Sequence, residues 1–246
     1  MNRIERAVIM AAGEGNRMHP LTRKVPKPLI SVCGERMIDT VIRALRINGI
    51  TEIYVVVGYR KEDFASLTRE YPGLTLIENP DYHRANNISS LHAARAYLEN
   101  AMILDADQII HKPSVLSPSF ERSGYNAVWV EEPTREWLMQ TDEQGIVTSC
   151  SRTGGDRGWQ LYSISRWSAQ DGARLRELLE LEYVQNGRRD LYWDDVAMFC
   201  HPDRFTLGIY PMKRSDVVEI DDLEELAAVD PSYIDYLRQA RRGMPV

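Results

Sequence analysis

Along the first half of the chain, apolar runs of strand length alternate with segments in which apolar residues recur every three or four positions. The runs AVIMAA (7–12), EIYVVVG (52–58), LTLIEN (74–79) and AMILDAD (101–107) are nearly continuous in apolar character, which predicts strands covered on both faces. Between them MIDTVIRALRIN (37–48), KEDFASLTREY (61–71) and ISSLHAARAYLE (88–99) carry the helical period. This alternation predicts a doubly wound α/β fold around a mostly parallel sheet. After residue 120 the pattern loosens into β-like stretches, YNAVWVEE and WQLYSIS, then a helix over about 168–185 and a further segment at DLYWDDVAMF. These predict a smaller lobe or insertions over the sheet edge. A last periodic stretch, DDLEELAAVDPSYIDYLRQARR, predicts one or two closing helices with an Asp at their start.

Composition narrows the function without choosing it. The 246 residues and 43% hydrophobic content suit a single domain with a proper core. The pattern divides it into a core over about 1–120, a looser lobe over about 121–215, and a last strand and helices over 216–246. No internal repeat or low-complexity linker marks a second domain. The net charge of -6, with basic residues scattered along the chain, argues against nucleic acid as a partner and leaves a small charged substrate open. The start MNRIERAVIM mixes charge into any leader-like run, and no stretch reaches the roughly 18 apolar residues of a membrane span, so a cytoplasmic protein without membrane insertion is expected. Cys33, Cys150 and Cys200 are odd in number and widely spaced, which predicts reduced cysteines without a disulfide frame or zinc site.

In an open parallel sheet, ligands sit beyond the carboxyl ends of the strands, so the loop after the first strand and the end of ILDAD should face one crevice. Ala11, Ala12, Gly13 and Gly15 would bring backbone N–H groups toward a triphosphate, and Arg17 and Lys27 would add charge. Glycine after a strand is equally consistent with a plain turn. Met18 stands where a dinucleotide fingerprint needs its third glycine, and no G-x4-G-K-[ST] loop exists, so both familiar phosphate motifs are excluded. Asp105 and Asp107 end a buried strand; they read either as strand-end caps or as ligands for a hard divalent cation. VVEIDD (217–222) puts Glu219 and Asp221 on one face, with Asp222 and Glu224 as helix caps and solvated charges. Asn86, Asn87, Ser89 and Ser90 at a helix start could cap it or read a base. Trp137, Trp159, Tyr192 and Trp193 lie near Asp194, Asp195 and Glu219, and such rings are either core or a cage for a quaternary ammonium.

The stretch MAAGEGNRMHPLTRKVPKPLI resembles the signature of the nucleotidyltransferase superfamily, an AAGxGxRMxPLT loop followed by PKPL. That resemblance implies a Rossmann-like nucleotidyltransferase fold, an NTP wrapped by the loop, phosphate contact from Lys27, and Mg²⁺ on Asp107 and Asp221. Pro26 and Pro28 would stiffen the backbone on either side of that lysine. NNISSL, LDAD, EWLMQ, DLYWDDV and VVEIDDLEEL follow in the order found in bacterial CTP:phosphocholine cytidylyltransferases, and the likeness runs across nearly the whole chain. It implies Ser90, with Asn87 beside it, near the cytosine base, and a choline pocket at Trp137, Tyr192, Trp193 and Glu219. The implied reaction transfers CMP from CTP to phosphocholine by Mg²⁺-assisted in-line attack on the α-phosphorus, giving CDP-choline and pyrophosphate. The implied partners are these two small molecules, with a homodimer as the candidate assembly. The glycine-rich SRTGGDRGWQ (151–160) departs from the family motif and reads as a hairpin turn or a flap over the substrate. The rival acceptors are 2-aminoethylphosphonate, another small phosphate or phosphonate, and a sugar 1-phosphate. A catalytically silent nucleotide-sensing module is the rival of another class, and retention of Arg17, Lys27, Asp107 and Asp221 together speaks against it.

Overall fold

A computed structural model describes residues 1–241. The first long apolar run forms β1 (Arg6–Ala11), buried from its second residue onward. α1 (Met37–Ile47), β2 (Glu52–Val57), β3 (Leu74–Glu78), α2 (Ile88–Ala93) and β4 (Ala101–Asp105) follow. β1 lies between β2 and β4, with β3 outside β2, and all four strands run parallel. The register pairs Met10 with Asp105 and Ala11 with Val57, so the glycine loop leaves the sheet beside the carboxylate that ends β4. The segment over 61–71 is not one helix. Of its apolar residues only Phe64 and Leu67 are fully buried, too narrow a stripe to hold a long helix, and it breaks into a 3-10 turn and the short helix Leu67–Glu70.

The second half builds outward from β4. β5 (Gln108–Ile110) is short; β6 (Gly124–Val130), β7 (Leu138–Thr141), β8 (Val147–Ser151) and β9 (Gly158–Trp167) come next. β9 runs antiparallel to β4, with Ile164 opposite Leu104, and carries β6 and β7, with β8 beyond β7. Residues 121–215 therefore extend the same sheet beyond the β4 edge, which matches the reading of this region as insertions at the sheet edge. The hairpin reading of 151–160 fails, because β7 lies between β8 and β9. α3 (Ala169–Leu179) starts at an N-cap in which Ser168 Oγ accepts the Asp171 N–H, and continues through a π-helical turn to Gln185. α4 (Trp193–Asp195) likewise passes into a π-helical turn, and β10 (Gly208–Pro211) lies parallel to β6.

Helices cover both faces, as the double winding requires. α1 buries Ile38, Val41, Ile42 and Leu45 on one side; α2 and α3 bury Ile88, Leu91, Leu175 and Leu179 on the other. β11 (Val217–Glu219) pairs antiparallel with β5, setting Glu219 opposite Gln108. α5 (Leu223–Val229) is capped by Asp222, whose Oδ1 accepts the N–H groups of Glu224 and Glu225, and α6 (Ile234–Arg241) follows. Leu223 and Leu226 pack with Met18, Leu21 and Ile30, so the C-terminal helices form the floor of the glycine loop. Each such leucine contributes on the order of 2 kcal/mol by burial. Residues 242–246 of the expected closing segment lie outside the described residues. No helix among the described residues is long and apolar enough to cross a membrane.

Candidate active site

Sterics decide the shape of the glycine loop. Gly15 has φ +64, and a Cβ there would stand 3.0 Å from Thr22 Cγ2 and 3.1 Å from Lys27 Cβ. Glycine is thus favoured twice over, by handedness and by the closeness of Thr22 and Lys27. Gly13 has nothing within 4 Å and leaves open space for a ligand. Thr22 Oγ1 donates to the Gly15 carbonyl at 3.0 Å, and Met18 and Leu21 anchor the loop from below. Lys27, 8% exposed, opens a 3-10 turn framed by Pro26 and Pro28.

The Lys27 ammonium donates to Asp107 Oδ2 at 2.5 Å and to Asp221 Oδ1 at 3.0 Å, and Arg17 Nη2 reaches the same Asp221 oxygen at 2.7 Å. Burial works against the lysine charge, yet Asp107 and then Asp221 outweigh it and hold the Lys27 pKa above its ordinary value. The β5–β11 ribbon creates this arrangement. Ile220 donates its N–H to the Asp107 carbonyl, and Glu219 hangs beside Asp107 from the neighbouring strand.

Carboxylate oxygens of Asp105, Asp107 and Glu219 come within 4.8 Å of one another. Burial first, and then Asp107, push Asp105 up to about 7; burial and Asp107 also hold Glu219 well above the usual carboxylate range. Asp107 Oδ1 is buried without a hydrogen-bond partner. Crowded oxygen ligands with an orphaned lone pair fit a hard divalent cation such as Mg²⁺. Four carboxylates, with Asp221 included, face two cations, Lys27 and Arg17; fully ionised, they leave the charge that one divalent ion balances. The expected Asp107–Asp221 pair is bridged by Lys27, and the oxygens free to meet an ion include those of Glu219 and Asp105.

Ala11, Ala12, Gly13, Gly15, Arg17, Lys27, Asn87, Ser90, Asp105, Asp107 and Asp221 line one pocket of about 320 Å³. The loop residues, both cations, Asn87 with Ser90 and three of the expected carboxylates are thereby brought together, while Asn86 and Ser89 do not line this pocket. Ser90 Oγ accepts from Asn79 Nδ2 at 2.9 Å, a buried partner that the sequence pattern did not single out. Asn87 makes no side-chain cap; its Oδ1 accepts the Trp193 N–H at 2.8 Å and ties α2 to α4.

The four-member choline cage does not assemble. Trp193 is 0% exposed, stacked on Tyr125 at 6.0 Å and edge-on to Trp167 at 6.3 Å, so its ring is core and presents no face to a ligand. Glu219 lines a second pocket of about 340 Å³ with Glu136, Tyr162 and Glu225, which shares Asp221 with the first. Trp159 pairs with Trp129. Trp137 and Tyr192 do meet, edge to face at 5.9 Å, and Phe199 is likewise edge to face with Trp137 at 5.4 Å. Next to Trp193, Asp194 is buried beside the Tyr125 hydroxyl, and burial followed by Asp105 holds it well above the carboxylate range.

A parallel α/β sheet whose first loop offers backbone and cations to a cleft walled by paired carboxylates defines a nucleotidyltransferase. The chain belongs to the MobA-like NTP transferase domain family, whose profile matches residues 7–192. A 2-aminoethylphosphonate cytidylyltransferase from Lancefieldella rimae is 40% identical over 234 residues, 94% of each chain. A choline-phosphate cytidylyltransferase from Streptococcus pneumoniae is 29% identical over 89% of this chain and 94% of that one. The solved structure of the CTP:phosphocholine cytidylyltransferase from Streptococcus pneumoniae matches with TM-score 0.86 at 29% identity, over 94% of this chain and 99% of that one. An inositol-1-phosphate CTP transferase from T. maritima, 14% identical with TM-score 0.72 over 100% of this chain and 99% of that one, shares the fold. The chain is thus an enzyme of the nucleotidyltransferase class, with cytidylyltransferases among its relatives.

Proposed function

We propose that the protein transfers CMP from CTP to a small phosphonate or phosphate bearing a primary ammonium, with 2-aminoethylphosphonate as the leading acceptor, and releases pyrophosphate. The observation that carries this choice is the nature of the groups left to meet a cation. The buried Asp195, which accepts the Tyr192 N–H, already takes hydrogen bonds from a cation, whereas Trp193 lies in the core and cannot offer a ring face. A primary ammonium brings three N–H donors to carboxylates; a trimethylammonium brings none and depends on rings. The 40% identical relative acting on 2-aminoethylphosphonate supports the same reading. Phosphocholine is the second reading, favoured by the Trp137–Tyr192 pair and by the TM-score of 0.86.

An ionised phosphonate oxygen is itself the nucleophile, so attack on the α-phosphorus needs no general base. The work left to the chain is orientation and the offset of repulsion between two anions. Lys27 would meet a phosphate on leaving Asp107 and Asp221, and the Gly13–Gly15 backbone with Arg17 would steady the leaving pyrophosphate. Ser90 and Asn87 would face the base. A divalent ion held by Asp107 with Asp105, Glu219 or Asp221 would supply further charge stabilisation at the reacting oxygens. The test is pyrophosphate release with each of the four NTPs against 2-aminoethylphosphonate, phosphocholine and a sugar 1-phosphate. CTP with 2-aminoethylphosphonate should be the best pair; preference for phosphocholine would install the second reading, and preference for the sugar would discard both.

A further inference from the structure

The aromatic and acidic box that could receive an acceptor's cation already contains one. Arg152, the first residue after β8, lays its Cζ 3.8 Å from the Phe199 ring centroid and 5.9 Å from that of Trp137. Its Nε and Nη2 donate to Asp195 Oδ1 at 2.8 and 2.6 Å, while Asp195 Oδ2 accepts the Tyr192 N–H at 2.9 Å. Ring faces on one side and a carboxylate on the other are what a bound ammonium would find. The two partners differ in freedom: the Arg152 side chain is 46% exposed and can swing into water, whereas that of Asp195 is 4% exposed and cannot.

We propose that Arg152 is a resident cation that sets acceptor specificity, yielding its place on Asp195 only to a cation that can replace its hydrogen bonds. The inference rests on the acceptor being a small cationic phosphonate or phosphate. When Arg152 leaves, Asp195 keeps only the Tyr192 N–H, and a buried carboxylate short of donors is costly. A primary ammonium restores two charge-assisted bonds. A trimethylammonium restores none, so the arginine discriminates against it even though the rings would accept it.

The experiment compares kcat/KM for 2-aminoethylphosphonate and phosphocholine in the wild type, Arg152→Ala and Arg152→Gln, with thermal melting to check folding. Arg152→Ala should lower KM for phosphocholine and narrow the ratio between the acceptors by about tenfold or more, the worth of one charge-assisted hydrogen bond. Arg152→Gln keeps a donor for Asp195, so it should fold and give an intermediate ratio. An unchanged ratio, or a parallel loss with both acceptors, overturns the inference and makes the Arg152–Asp195 pair a clamp on the 152–157 turn. Failure of the underlying reading is visible in the wild type alone, as turnover of a sugar 1-phosphate and of neither cationic acceptor, and it takes the inference with it.

Discussion

Replacing Lys27 by methionine keeps most of the length of the side chain and removes its charge. In the folded protein that charge sits 2.5 Å from Asp107 and 3.0 Å from Asp221, with the three side chains only 10%, 21% and 26% exposed. Taking one partner from a buried ion pair costs about 3–5 kcal/mol, and access of water to the two aspartates places this case near the lower end. About 3 kcal/mol in a chain of this size lowers the melting temperature by roughly 6–12 °C. Mg²⁺ should recover much of that loss, because the variant leaves four carboxylates facing Arg17 alone. Turnover is a separate matter: loss of one preorganised cation aimed at the transferred phosphoryl group should lower kcat by about 10²–10³. The assay is pyrophosphate release beside melting with and without Mg²⁺. A folded Lys27→Met enzyme with near wild-type kcat would refute the catalytic reasoning, and a melt unaltered in the absence of Mg²⁺ would refute the electrostatic one.

Trp193→Ala should cost about 3–5 kcal/mol as a core cavity and move KM for CTP and acceptor together; a selective rise in acceptor KM in a protein of unchanged melting temperature would return the ring to the substrate pocket. Gly15→Ala should raise KM for CTP and cost about 1–2 kcal/mol from its left-handed backbone and its approach to Lys27, and wild-type affinity for CTP would contradict that account. Mg²⁺ affinity, read by calorimetry, should rise with pH through about 7, because the ion must displace the protons that burial and Asp107 keep on Asp105 and Glu219. In the metal-free protein the sign runs the other way: the folded pKa of Asp105 lies above the ordinary 3.8, so the stability this group contributes is present at low pH and drains away as pH rises toward 7. A pH-independent Mg²⁺ affinity over that window would exclude Asp105 from the ion's surroundings.

How far the sequence could be read depended on the range of the physics at each position. Continuous apolar runs in β1, β2 and β4 are local signals of burial on both faces, and they appear where the pattern put them. The lysine between prolines and the arginine past Gly15 are also local, and both line the pocket. Trp193 was legible only as a ring near carboxylates; whether it faces ligand or core depends on Tyr125 and Trp167, which come from distant strands. Arg152 was hidden because its meaning lies in Asp195 and Phe199, more than forty residues away, and the glycines beside it suggested a turn. Asn79 gave no signal, since one asparagine after a strand looks like any other until Ser90 is set against it.

The glycine loop stands on Leu223 and Leu226, and its arginine meets an aspartate 204 positions away. A ribosome therefore finishes the nucleotide loop long before it has made either the floor beneath it or the acid that receives Arg17. Until α5 emerges and docks, the nascent chain carries the recognisable signature of its family with neither the leucines beneath its loop nor the aspartate that meets Arg17.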